Sequence, residues 1–349
     1  MPLRKAVAYI HPGAASFIAK DLQMLGRHAQ VLEYAFAAAP SFRLPLEFIR
    51  QTLWLILRAL KADIWICMFV GWHSVLPVLV GRVAGKRVWL IAGGADSNCL
   101  PEVGYGNFRK PLLAMATRFC YRHCSLIVPV HEALARATNT YVANGPLPQG
   151  FLHFCPGLAT RVQPIYNGYD ADAFPYGAAI RPQRSFITIA ASLQNPVRMA
   201  IKGIDLVIAA AQAMPDCTFT IVGAPVRPAG LPSNITTLPF TPPKLLPSIL
   251  GQHRFYLQLS MTEGFPNAIA EAMLCGCVPI ASTVGALPDI VGDTGFLVPK
   301  QDLATLLAKL DEALGADWQS LSLAARERIV TNYTMERREA AFVKLLGEQ

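Results

Sequence analysis

The sequence predicts an α/β protein with two doubly wound parallel sheets, one in each half of the chain. Short apolar runs of strand length alternate with segments of helical periodicity, the βαβ pattern of parallel sheets. That alternation runs twice, interrupted by a Gly- and Pro-dense stretch over residues 139–164. A chain of 349 residues, 53% of them hydrophobic, is long for one core and sufficient for two.

The first half opens with an apolar strand over 6–10, followed by HPGAASF. Gly13 and Ala14 permit close backbone approach at the strand's carboxyl end, where open α/β sheets bind ligands. An amphipathic helix over 17–25, a strand over 31–34 and a helix over 48–60 carrying Trp54, Leu55 and Leu57 come next. Residues 64–81 carry no charge and approach the length of a membrane span, but Gly71, His73 and Pro77 interrupt them. They divide into a strand over 64–70 and a helix over 75–83. A strand over 87–92 ends in Gly93-Gly94-Ala95-Asp96-Ser97, and a basic helix over 111–124 leads to a strand over 126–129.

The second half repeats the scheme. Strands are expected over 186–190, 219–223, 235–238, 255–260, from 278, and over 296–298. Helices are expected over 204–213, 245–250, 266–275, 303–314 and 324–346. The expected division is a first domain over 1–170 and a second over 171–325. Residues 326–349 form a last helix whose length permits it to cross back to the first domain.

The net charge of +8 is uneven. Residues 1–175 hold 17 Lys+Arg against 9 Asp+Glu, whereas 176–349 hold 14 of each. A basic half suits anionic lipid or nucleic acid, or is simply a solvated face. No aromatic-interleaved basic motif accompanies it, so nucleic acid is not an expected partner. No G-x-G-x-x-G follows a strand with an acidic residue downstream, which argues against a dinucleotide oxidoreductase. The eight cysteines, Cys120 and Cys124, Cys275 and Cys277 among them, lack zinc spacing. They read as reduced thiols, and the chain, starting directly with a strand, as cytoplasmic. No metal ligand set and no resident cofactor is expected.

The stretch most suited to chemistry is 259–286, LSMTEGFPNAIAEAMLCGCVPIASTVGA. A strand runs into the turn Glu263-Gly264-Phe265-Pro266, and a short helix follows with Asn267 in its first turn and Glu271 further in. Free N–H groups at a helix N-terminus attract phosphate. The two carboxylates should stand on the order of 10 Å apart at the helical rise per residue. A retaining glycosidase pair needs about 5 Å, so the spacing instead suits a long ligand with a sugar, a diphosphate and a ribose. A second anion site is expected at Arg198-Met-Ala-Ile-Lys202-Gly203, between the strand 186–190 and the helix from 204.

The EGFPNAIAEAM run, with Gly-Cys-Val-Pro-Ile after it, resembles the E-x7-E signature of family 4 (group 1) glycosyltransferases, the retaining enzymes of GT-B fold. Arg198 and Lys202-Gly203 resemble that family's basic diphosphate-binding motif, and Asn167-Gly168-Tyr169-Asp170 its N-G-x-D link into the second domain. The resemblance implies two Rossmann-like domains facing a cleft. It implies metal-independent transfer of a hexosyl group, with retention, from a nucleotide-diphosphate sugar to a glycan or lipid-linked acceptor. The setting implied is bacterial surface polysaccharide or glycolipid assembly, at the inner face of the membrane if the basic first domain contacts anionic lipid. Glu263, Lys202 and Arg198 would serve catalysis. Gly13, Gly203, Gly264, Phe265, Pro266, Asn267 and Glu271 would bind the donor, Glu271 at the ribose. Relatives carry His or His-Asp where this chain has Gly93-Gly94-Ala95-Asp96, so Asp96 takes the acceptor-side catalytic position. Asp96 either orients the acceptor hydroxyl or caps the following turn. His11 stays open, and His131 reads as structural. A non-catalytic nucleotide-sugar-binding subunit, a GT-B epimerase and a phosphorylase are the alternatives.

Overall fold

A computed structural model describes residues 5–13, 15–37, 41–177, 180–190, 195–224, 227 and 229–348. Ala14, expected beside Gly13 in the first loop, lies outside them. The chain forms two compact units. The first holds residues 1–137, 149–166 and 339–349, and the second holds 138–148 and 167–338.

In the first unit five parallel strands, β1 (Ala6–His11), β2 (Gln30–Ala35), β3 (Ile64–Met68), β4 (Arg87–Ala92) and β5 (Leu126–Pro129), stand in the order β2-β1-β3-β4-β5. Crossovers pass through α1 (Ser16–His28), α2 (Leu44–Leu57), α3 (Trp72–Val83) and α4 (Pro111–His123). β3 is buried throughout. This is the continuous apolar run expected of a parallel strand covered on both faces. The uncharged stretch 64–81 is thus a strand and a helix, and no helix among the described residues is long and apolar enough to cross a membrane. α2 starts earlier than the expected residue 48, because Pro45 needs no N–H in a first turn.

Residues 139–164, expected as loop, contain regular structure. β6 (Ala137–Asn139) and β7 (Leu147–Gln149) pair with each other, and a single turn, α5 (Phe151–Phe154), follows. Residues 138–148 belong to the second unit rather than to the segment 1–170 that precedes the expected division.

The second unit carries six parallel strands, β8 (Ser185–Ile189), β9 (Thr218–Val222), β10 (Ile235–Leu238), β11 (Phe255–Gln258), β12 (Val278–Ser282) and β13 (Phe296–Val298), in the order β10-β9-β8-β11-β12-β13. Phe186 stacks on Phe219 at 5.0 Å and on Phe255 at 5.2 Å, knitting the three central strands on one face. The helices are α6 (Pro196–Lys202), α7 (Ile204–Ala213), α8 (Leu246–Leu250), α9 (Asn267–Leu274), α10 (Leu287–Val291), α11 (Leu303–Gly315), α12 (Trp318–Asn332) and α13 (Met335–Gly347). The strand order reverses direction between β8 and β11. The crevice outside the carboxyl ends of those two strands is where such sheets take ligands.

The helix expected over 324–346 is two helices. Tyr169 docks its backbone into the break, its N–H donating to Tyr333 O at 2.9 Å and its carbonyl accepting from Met335 N at 3.2 Å. The Thr334 hydroxyl then accepts from Arg337 N and starts α13. From Glu339 onward the chain is counted with the first unit.

Candidate functional site

Lys202 and Glu263 come together at the switch point of the second sheet. Lys202 is the last residue of α6, a seven-residue helix between the strand and helix expected there, started by the Asn195 side chain accepting from Arg198 N at 3.2 Å. Gly203 then turns the chain at φ +67° directly into α7. A Cβ at Gly203 would sit 2.2 Å from Leu259 O, so only glycine lets this turn lie against the end of β11. Met261 N donates to Ile201 O at 2.8 Å across the same contact. These constraints set Lys202 Nζ 2.5 Å from Glu263 Oε1. Arg198 stands one turn before Lys202, on the same side of α6 and exposed.

The loop that carries Glu263 is held from several sides. Gln258 Nε2 donates to Glu263 Oε1 at 3.0 Å and to Ser260 Oγ at 2.8 Å. Gly285 takes φ +55° where a Cβ would meet Glu263 O at 2.0 Å, and Ala286 N donates to Gly264 O at 3.3 Å. The segment 138–148 contributes Asn139, whose Nδ2 donates to Met261 O at 2.7 Å, and Tyr141, whose hydroxyl donates to Leu259 O at 3.3 Å. No spacing in the sequence signals these two supports, because the fold brings them across more than a hundred residues.

α9 begins at Asn267, with Pro266 as its N-cap instead of its first residue. Proline offers no side-chain acceptor, so the N-cap residue leaves the first-turn amides without its own cap, the geometry suited to an anion. Asn267 Oδ1 accepts from Tyr169 Oη at 2.9 Å and from Asn167 Nδ2 at 3.3 Å, and Asn167 also donates to Phe265 O at 3.2 Å. The link Asn167-Gly168-Tyr169 therefore fixes the start of α9. Phe265 is buried, stacked on Tyr169 at 6.2 Å and edge-on to Tyr333 at 5.2 Å. At the other end, buried Arg181 donates to Cys275 O at 2.6 Å and Gly276 O at 2.8 Å, a cation where the helix dipole favours one. Glu271 lies buried within α9.

Two sequence-identified residues, Asp96 and Gly13, belong to the first unit. Asp96 is buried after β4. Its carboxylate accepts from Val70 N at 3.0 Å, Gly94 N at 2.9 Å and Gly93 N at 3.2 Å, and from Ser97 Oγ at 3.2 Å. Of its two readings, this geometry is that of a turn cap tying the ends of β3 and β4. Burial pushes its carboxyl up, opposed by those four donors. Gly13, at the end of β1, places its carbonyl 2.9 Å and its N–H nitrogen 3.3 Å from His11 Nδ1. His11 Nε2 lies 3.0 Å from Glu33 Oε1. This His–Glu pair joins neighbouring strands 22 residues apart, and only the β1–β2 pairing reveals it. His131 accepts from Ala133 N at 3.2 Å and stacks on Tyr166 at 5.1 Å.

Residues 186–316 match the family model described as Glycosyl transferases group 1, and they include α6, Glu263 and all of α9. O-antigen chain mannosyltransferase B of Escherichia coli is 33% identical over 91 residues, 26% of this chain and 24% of that protein. The chain spans about a quarter of the length of the first curated relatives it matches. Among solved structures, sucrose-phosphate synthase from Thermosynechococcus elongatus superposes with a TM-score of 0.74 at 17% identity, covering 98% of each chain. HepE from Anabaena, in complex with UDP and glucose, gives 0.67 at 16% identity, covering 98% of this chain and 99% of that one. At such identities the likeness concerns the fold, which is that of GT-B glycosyltransferases: two Rossmann-like units, each with a parallel sheet.

Proposed function

We propose that the protein is a retaining glycosyltransferase. It moves a hexosyl group from a nucleotide-diphosphate sugar to a glycan or lipid-linked acceptor in bacterial surface polysaccharide assembly. The observation that carries this reading is the Lys202–Glu263 pair at the sheet's switch point, beside a helix N-terminus whose N-cap residue is a proline. The match of residues 186–316 and the O-antigen relative support the class and the setting. The UDP complex of HepE supports the donor type.

In this reading the sugar's anomeric carbon loses its bond to the diphosphate and gains one to the acceptor oxygen on the same face. The acceptor's proton leaves with the departing diphosphate. Negative charge grows on that diphosphate as the bond breaks. Lys202, Arg198 and the first amides of α9 are the groups suited to stabilise it, without a metal ion. Glu263, at the turn before α9, faces the sugar end, and Glu271, inside α9, the ribose.

The two glutamates separate by role. An interaction equal in ground and transition states changes KM alone, while one that strengthens as the bond breaks changes kcat. Glu271→Gln is expected to weaken free nucleoside-diphosphate binding. Glu263→Gln is expected to lower kcat with nucleotide affinity nearly unchanged. Product-nucleotide release from a panel of nucleotide sugars, with and without EDTA, together with calorimetry on the free nucleotide, tests the assignment. Loss of nucleotide affinity in Glu263→Gln but not in Glu271→Gln reverses the roles. Restoration by magnesium after EDTA removes the metal-free mechanism, and tight donor binding without turnover favours a non-catalytic binding subunit.

A further inference from the structure

The outer face of α2 is apolar where a solvated helix should be polar. Phe42, Leu46, Ile49, Leu53, Ile56 and Leu60 follow one another at spacings of four and three and are 36–77% exposed. That spacing keeps them on one side of the helical run made by α2 and the short turns Ser41–Arg43 and Ala59–Lys61 flanking it. The opposite side, Glu47, Gln51, Leu55 and Ala59, is buried against the rest of the unit. α2 thus satisfies its core with one stripe and presents a second stripe outward. Such a contiguous exposed patch marks an interaction surface.

The exposed charges on this helical run have one sign. Arg43, Arg50, Arg58 and Lys61 are exposed along it. The single carboxylate of α2, Glu47, is turned inward, accepting from Tyr34 Oη at 2.7 Å and Ala37 N at 3.3 Å. Arg50 spans both tasks, 3.4 Å from Glu47 and over the Tyr34 ring at 5.2 Å. Apolar side chains flanked by cations are the composition of a helix that lies in a membrane interface.

We propose that α2 docks the protein on an anionic lipid bilayer, inserting the stripe from Phe42 to Leu60 between headgroups while its cations pair with lipid phosphates. Charge complementarity selects this occupant over a second copy of the chain, which would bring the same four cations against themselves. The excess of 17 cations over 9 anions in residues 1–175 adds attraction at longer range. This surface acts whether or not the protein transfers a sugar, and its readout needs neither donor nor acceptor.

The experiment is co-sedimentation of the full chain with vesicles of phosphatidylglycerol and phosphatidylcholine in equal parts, against phosphatidylcholine alone. The parent is expected to bind the anionic vesicles and to retain part of that binding at high salt. Ile49→Glu with Leu53→Glu should lower partitioning by about tenfold or more, because two charges then oppose insertion. Arg43→Glu with Lys61→Glu should abolish the preference for anionic vesicles. Circular dichroism checks that the variants fold, and Leu53→Ser replaces the double variant if it does not. Equal partitioning of parent and stripe variants overturns the proposal. So does sedimentation showing a parent dimer that the stripe variant dissolves while neither binds vesicles.

Discussion

Lys202 shows how much of a single residue's placement is decided elsewhere. Its neighbour Gly203 permits the approach to Leu259, the Met261–Ile201 bond locks it, and Gln258 presents the carboxylate that receives its charge. Lys202→Ala should therefore lower kcat by about 10²–10³, the usual cost of removing one preorganised stabiliser of a departing anion. Steady-state kinetics with matched unfolding curves checks this, and unchanged turnover would reduce Lys202 to a surface cation. Glu263, Glu271 and Lys202 are legible in the sequence because one contiguous string and one short motif carry them. Asn139, Tyr141 and the His11–Glu33 pair are not, because their partners are set by tertiary pairing across long separations.

The elements that sequence periodicity reveals are those long enough to show a period. The parallel strands are short uninterrupted apolar runs, and β1, β3, β4, β5 and β8 fall where expected to within two residues. α6 and α10 are too short for a helical period, with seven and five residues. Their available signal is proline at the first turn, joined in α6 by the Asn195 cap. The break between α12 and α13 escapes because the apolar pattern continues across it, while its cause is the distant Tyr169 backbone. α6 and α7 meet at one residue, so the turn tests the element. Gly203→Ala must place a Cβ at φ +67° and against Leu259 O. The left-handed conformation costs about 1–2 kcal/mol and the forced shift about 1–3 kcal/mol more. Chemical denaturation should report that sum for the second unit. A variant as stable as the parent would show that the α6–α7 turn is free to move.

At the scale of the molecule, the division between units does not follow chain order. The last residues complete the first unit. Phe342, Leu345 and Leu346 are buried, Lys5 Nζ donates to Leu346 O at 2.5 Å, and Arg27 pairs with Glu339 at 2.8 Å. Phe342→Ala should cost the first unit about 3–5 kcal/mol, the range for truncating a buried phenylalanine. Hydrogen exchange of β1–β5 would resolve that loss from any in the second unit, and unchanged protection would separate the terminal helix from this core. The same arrangement orders events at the ribosome. β5 is complete at Pro129, yet residues 339–349 of the same unit are made roughly 200 residues later, or roughly 10–40 s at about 5–20 residues per second. The unit begun first is the later of the two to be completed, so for that interval it waits for its terminal segment while the other unit is made.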